Sequence, residues 1–195
     1  MPLWSSWFER RRERSAWRAE MEQPFDWKIE DSRRLPIGSA DDEVFEFITR
    51  WLADIARGKW NEALTRLLPP PTRTTHSGWT PAKLENVIQN YGVLRWPGER
   101  QRLHSPSDPW TAEGKLTPET ARRLEPDPEE ATGSVHDELP IAIYWFRERR
   151  SPDHLGYVTT QIPLDGKWSD LSADFDVEAV DDDSFGLRLG RLDVA

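Results

Sequence analysis

A chain of 195 residues, 36% hydrophobic and 31% charged, is long enough for one domain with a proper core, and eleven tryptophans offset its low apolar fraction. The absence of cysteine excludes disulfides, thiolate metal sites and cysteine nucleophiles, and a formal charge of −9 argues against general nucleic-acid binding. No apolar stretch is long enough to span a bilayer, and residues 1–21 lack the apolar centre and small-residue cleavage site of an export signal, so a soluble cytoplasmic protein is expected.

Residues 1–38 read as an arm. Trp4, Trp7, Phe8, Arg11, Arg14, Trp17, Arg18 and Met21 recur at three- and four-residue steps, which predicts a helix with an aromatic and basic stripe. The stripe fits docking on the protein's own body, and it also fits a partner helix or a membrane surface. Residues 39–195 read as a single domain. Ser39 is placed to cap a helix whose first turn carries Asp41, Asp42 and Glu43, where negative charge meets the positive end of the helix dipole. Val44, Phe45, Ile48, Trp51, Leu52 and Ile55 give it one apolar face, and Gly58 suits its left-handed end. A second helix with Trp60, Ala63, Leu64, Leu67 and Leu68 stops at Pro69, making a helical hairpin. Thr80 then caps a third helix, with Pro81 at its first position and Leu84, Val87, Ile88 and Tyr91 on its face.

Val93 to Trp96 suggest a short strand. Residues 97–138 form a proline-rich insertion, functional or mobile or both, with a short helix expected at Thr117–Leu124. Order returns at Leu139 with a strand apolar on both faces, Ile141 to Phe146, expected to be central. Three further strands follow, separated by turn signals at Asp165-Gly166 and Asp181 to Ser184. In the middle one, Leu171, Ala173, Phe175, Val177 and Ala179 alternate with Ser172, Asp174, Asp176 and Glu178. A one-residue slip in the apolar pattern at Gly190 predicts a bulge that bends the last strand. The fold class expected is α+β: a helical hairpin plus a third helix on a curved, mainly antiparallel, cone-like sheet of four to five strands.

Charge is unevenly placed. Residues 1–18 hold five Arg against two Glu, whereas residues 170–195 hold eight acids against two Arg. The row Asp174, Asp176 and Glu178 with the turn Asp181, Asp182 and Asp183 is the strongest surface feature. Like charges stacked on one sheet face call for a cationic counter-surface, supplied by the Arg-rich arm or by a basic protein partner. Trp110 is a candidate aromatic anchor for such a partner. The same row also fits a solvated face guarding the sheet against edge pairing.

Catalytic signals are sparse. His76, His104 and His154 fall in loops or turns, and His136 before a strand is expected as a solvated loop residue. No histidine spacing fits a metal site, so neither metal nor cofactor is expected.

Asp41–Tyr91 and Leu139–Val194 together resemble the cone-shaped nuclear-transport-factor-two-like fold, the fold of ketosteroid isomerase and polyketide cyclases. That resemblance implies a cavity carrying an acid–base pair with an acid of raised pKa. Asp170, beside Trp168 and with Tyr144 or Tyr157, is the candidate set. Trp168 to Leu171 fits a turn as well, with the Ser169 and Asp170 side chains bonding nearby backbone. Residues 162–175 and 187–194 are also similar to the ending of small bacterial proteins that include immunity proteins against secreted toxins. The expected function is therefore non-enzymatic neutralisation of a basic effector, with a ligand-binding or isomerase-like cone as the alternative. A homodimer is left open.

Overall fold

The computed structural model describes residues 33–70, 78–92, 103–114, 129–148 and 153–194, with scattered positions within 15–27 and at 124, 127 and 151. The strand expected at Val93–Trp96 lies outside the described residues. So do the arm helix and the helix at Thr117–Leu124, apart from single positions such as Met21 and Leu124.

The elements are β1 (Leu35–Pro36), α1 (Asp41–Ala56), α2 (Trp60–Thr65), α3 (Pro81–Gln89), β2 (Ala131–Thr132), β3 (Ile141–Phe146), β4 (His154–Leu164), β5 (Lys167–Ala179) and β6 (Ser184–Val194). The strands form one antiparallel sheet of six in the order β1-β6-β5-β4-β3-β2, curled into a half-barrel. Both edges are strands of only two residues, β1 pairing through Leu35 with Phe185 and β2 through Ala131 with Phe146. β3, expected to be central, lies next to the edge, and two of the three long strands, β4 and β5, form the centre.

Helical periodicity buries one face of α1. Val44, Phe45, Ile48, Trp51, Leu52 and Ile55 all lie in the core, joined by Phe47. Full burial of each large apolar side chain contributes roughly 1.5–3 kcal/mol. Trp51 packs edge-on against Phe175 of β5 with ring centroids 4.9 Å apart, so helix and sheet interlock at the centre. The cap of α1 is Ala40 rather than Ser39, and no side chain bonds it. Asp41 instead anchors the helix start, accepting the indole N–H of Trp145 at 2.8 Å and the hydroxyl of Ser134. Gly58 (φ 69°) ends the first helical arm as its position suggests. Buried Asp54 then receives Arg66 Nε at 2.6 Å, tying α1 to the end of α2. In α3, Thr80 Oγ1 accepts the Lys83 N–H at 3.1 Å and donates to the carbonyl of Met21 at 3.0 Å.

Parts of the arm touch the protein's own body, while Ser15, Ala16, Ala19, Gln23 and Asp26 are exposed. Met21 is buried, Phe25 and Trp27 pack against the core, and β1 continues the sheet.

The β4–β5 turn has positive φ at both Asp165 (52°) and Gly166 (80°), the conformation that an Asp-Gly hairpin requires. Trp168 to Leu171 do not turn the chain; they lie inside β5, where residues 169–171 bulge opposite the single β4 residue Ile162. Ser169 does bond backbone, donating to Ile162 O at 2.6 Å and accepting the Leu171 N–H. The bulge expected at Gly190 is present: Asp174 pairs with Arg191 and Phe175 with Leu189, leaving Gly190 as the extra residue.

Candidate functional site: the outer face of the sheet

Alternation gives the sheet two faces. The inner face carries Ile141, Ile143, Val158, Ile162, Leu171, Ala173, Phe175, Val177, Leu187 and the three helices, in one continuous core. The outer face has none of the described helices packed on it. At its β3 edge a small second cluster forms, in which Ala131, Ala142 and Tyr144 are buried with Leu124, Val135 and Tyr157 against them. Part of the 97–138 insertion thus covers β3, which explains why that strand is apolar on both faces without being central.

Between this cover and the charged strands β5 and β6 lies an open basin of about 670 Å³. Its floor is aromatic. Tyr144 and Tyr157, directly opposite in the β3–β4 register, stack with centroids 4.1 Å apart and planes 10° from parallel. Phe146 leans on Tyr157, and His154 stands edge-on to Phe146 at 5.0 Å. Asp174 and Asp176 form one wall, and Asp127 and Glu130 of the insertion form the opposite rim. Burial, then the neighbouring Tyr157 and Asp174, push the Tyr144 phenol well above its ordinary range, so it stays protonated; it donates to Leu124 O.

The acidic row is not bare, and its counter-charges come from the adjacent strand of the same sheet. Asp174 accepts Arg191 Nε at 2.8 Å and the Thr159 hydroxyl at 2.7 Å. This contact holds the Arg191 guanidinium more firmly protonated than usual. Glu178 pairs with Arg188, whose Nε also reaches Pro69 O at 2.7 Å. Asp176 faces Arg188 in register but makes no ion pair with it; the His154 ring stands beside it, with Nε2 3.4 Å from its carboxylate. That Nε2 is shielded from solvent and makes no hydrogen bond among the described residues. In the β5–β6 turn, Asp181 is held below the ordinary carboxylate range by the Ser184 hydroxyl, the Asp183 N–H and Arg34 of the arm. Asp182 and Asp183 are exposed.

The four residues of the alternative pocket do not converge. Tyr144 and Tyr157 share the basin, and Trp168 packs against the main core. Asp170 is exposed and accepts the Tyr91 hydroxyl at 2.8 Å. Burial and then this bond push the Tyr91 phenol up to about 12. The space between sheet and helices, where a cone would hold its ligand, is occupied around Trp51 and Phe175. Trp110 is 58% exposed and stands 6.1 Å from the His136 ring, which itself packs on Phe45 of α1, so it belongs to the helical side rather than to the basin. His136 is a fixed residue, half-buried, its Nδ1 accepting the N–H groups of Glu138 and Leu139. His104 is likewise ordered, its Nδ1 2.7 Å from Asp165.

Sequence reasoning missed Arg188, Arg191, His154, Phe146, Asp127 and Glu130. A signal existed for the two arginines: three residues apart they fall on opposite faces of a regular strand, but the bulge at Gly190 returns both to the outer face.

Scans against family models, curated proteins and solved structures found no match. Among the described residues no helix is long and apolar enough to cross a membrane, and no group of three His, Asp or Glu is placed to hold a metal ion.

Proposed function

We propose that this chain is a non-enzymatic protein-binding protein that neutralises a basic partner, in the manner of a bacterial immunity or antitoxin-like protein. The observation that carries this reading is the outer sheet face, where half-exposed carboxylates stand beside an aromatic floor and no described helix covers them. Aromatic anchors inside a charged rim are what a protein interface needs: the rings supply buried area, and the charges supply orientation and on-rate. A net charge of −9 and the exposed Asp182 and Asp183 extend the negative surface and speed encounter with a cationic partner. The likeness of residues 162–175 and 187–194 to the endings of immunity proteins points the same way.

The test is affinity isolation from the native host, followed by reconstitution with the purified partner. A stoichiometric complex is expected, with an association rate that falls as salt rises and falls again in an Asp176→Lys, Asp182→Lys variant. Finding no stable protein partner under any growth condition contradicts the proposal. Association indifferent to salt and to both substitutions excludes the acidic face.

A second reading, a small-ligand site, draws on the volume of the basin alone. It moves the candidate site from the interior of the cone to the Tyr144–Tyr157 side of the sheet.

A further inference from the structure

We infer that the uncovered half of the β6 edge pairs with a second copy of this chain. The two β6 strands run antiparallel about a twofold axis at Leu192, which sets Arg191 of each protomer against Asp193 of the other. The inference does not rest on the basic-partner reading of the outer face.

The sheet closes its two edges unequally. Along β3, residues 130–136 follow the strand: the Ile143 N–H bonds Ser134 O at 2.9 Å, the His136 N–H bonds Ile141 O at 2.9 Å, and the Arg147 N–H reaches Glu130 O at 3.3 Å. Along β6 the cover stops partway. Leu35 pairs with Phe185, the Leu68 N–H bonds Leu187 O at 2.7 Å, and Arg188 Nε holds Pro69 O. Over residues 189–194 no backbone bond from a described residue meets the outer edge of β6. An edge left in this state is a template for another strand.

Backbone groups alternate between the two edges of a strand, and Leu187 O points away from β5. The extra residue at Gly190 shifts that alternation by one, so Leu192 faces outward. Asp193 O faces β5 accordingly, where it accepts the Ser172 hydroxyl at 3.2 Å. Two copies of Leu192 placed opposite each other therefore exchange both N–H···O bonds. Their neighbours become the close, non-bonded pairs, Arg191 against the partner's Asp193 on each side of the axis.

These two side chains fit that arrangement. Both lie on the outer face, 70% and 55% exposed, with 3.7 Å between Arg191 Nη1 and the Asp193 carboxylate. Charges on an edge strand discourage pairing when they meet their own sign. The axis at Leu192 instead sets each against its opposite, extending one Arg–Asp contact into an alternating square of four. Sliding the copies to bring Arg191 or Asp193 onto the axis places like charges face to face, so the charges also select the register.

The experiment is sedimentation velocity on the full chain over a range of concentrations, with NMR amide exchange at the same concentrations. A reversible monomer–dimer equilibrium is expected, with a dissociation constant on the order of 10–100 μM for so short an edge. Exchange of the Leu192 amide should slow as the dimer fills. Asp193→Arg alone and Arg191→Asp alone should each weaken self-association about tenfold or more, because each sets like charges opposite one another twice. An equimolar mixture of the two variants should recover the dimer, since every cross-strand pair is then of opposite sign; a variant that merely misfolds gives no such recovery. A chain monomeric throughout overturns the inference, as does a dimer whose Leu192 amide is indifferent to concentration. Variants that dimerise normally, or that weaken without recovery in the mixture, overturn the register and the inference with it. Protection of Leu192 only in a complex with another protein gives the edge to that protein and overturns the second copy.

Discussion

Asp41 shows how single side chains substitute for features that local rules favour. Ala40 offers no cap, so the positive start of α1 is met one residue later by a carboxylate that also satisfies the Trp145 indole. Asp41→Ala leaves that N–H unpaired in a half-buried setting and should cost about 1–3 kcal/mol, read from urea unfolding; a loss below a few tenths would remove the anchoring role. Tyr91 reports on Asp170. With burial and the Asp170 bond holding its phenol at about 12, Asp170→Asn should bring its titration back toward the ordinary 10, visible in ultraviolet absorbance because the chain has three tyrosines. A phenol whose pKa is raised on folding stabilises the fold fully below the unfolded value. That contribution is lost as pH rises from 10 through about 12, so the contact loosens at the alkaline end.

Among the elements, the β4–β5 hairpin carries a latch. His104 Nδ1 and the Ser105 N–H both engage Asp165, the Asp165 N–H bonds Ser105 O, and the Glu113 N–H bonds Gly166 O, so residues 103–114 are strapped along the turn. His104 first, then the Ser105 N–H, hold the Asp165 carboxyl below its ordinary value of 3.8. Stability from a depressed carboxylate is present above the unfolded pKa and lost as pH falls through the folded one, so the strap should release below about pH 3.8. Asp165→Asn keeps an ideal Asn-Gly turn while removing the charge. Faster amide exchange at Ser105, Ser107 and Glu113 with the hairpin intact is expected, and unchanged exchange would contradict the latch. Gly156 sets a different limit. A Cβ there would stand 2.0 Å from the Tyr144 carbonyl oxygen, so Gly156→Ala must part β3 from β4, a cost of about 1–3 kcal/mol measurable by thermal unfolding. At this scale the sequence was most legible where one period ran unbroken: α1, the Thr80 cap, β5 and the Asp165-Gly166 turn each follow from local pattern. The edge strands β1 and β2 were not visible, because two residues carry no periodicity and their pairing is set by partners over a hundred residues away (β1) or by the insertion (β2). The pairing of Asp174 with Arg191 was hidden for a related reason. It depends on register across a bulge, and register is decided by the whole sheet.

For the whole molecule, the division of labour lies between the two faces of one curled sheet. The inner face is closed by Trp51, Phe47, Phe175 and Phe185, and it holds the fold together. Trp51→Ala should cost about 3–5 kcal/mol, enough to unfold a domain of ordinary stability at moderate temperature. The outer face, part covered by the insertion and part open, keeps an aromatic floor and one carboxylate without a guanidinium for something else to meet. The insertion gives that face its far rim. An unbroken acidic row read from sequence thereby becomes a row neutralised at both ends and open in the middle. The central claim, that this open face is where a basic protein partner sits, is tested most directly by a hydrogen-exchange footprint of the isolated complex. Protection concentrated at residues 154–161 and 172–178 and along the 129–131 rim is the result predicted; protection confined to α1, α2 and α3, with the outer face exchanging as in the free chain, would contradict it.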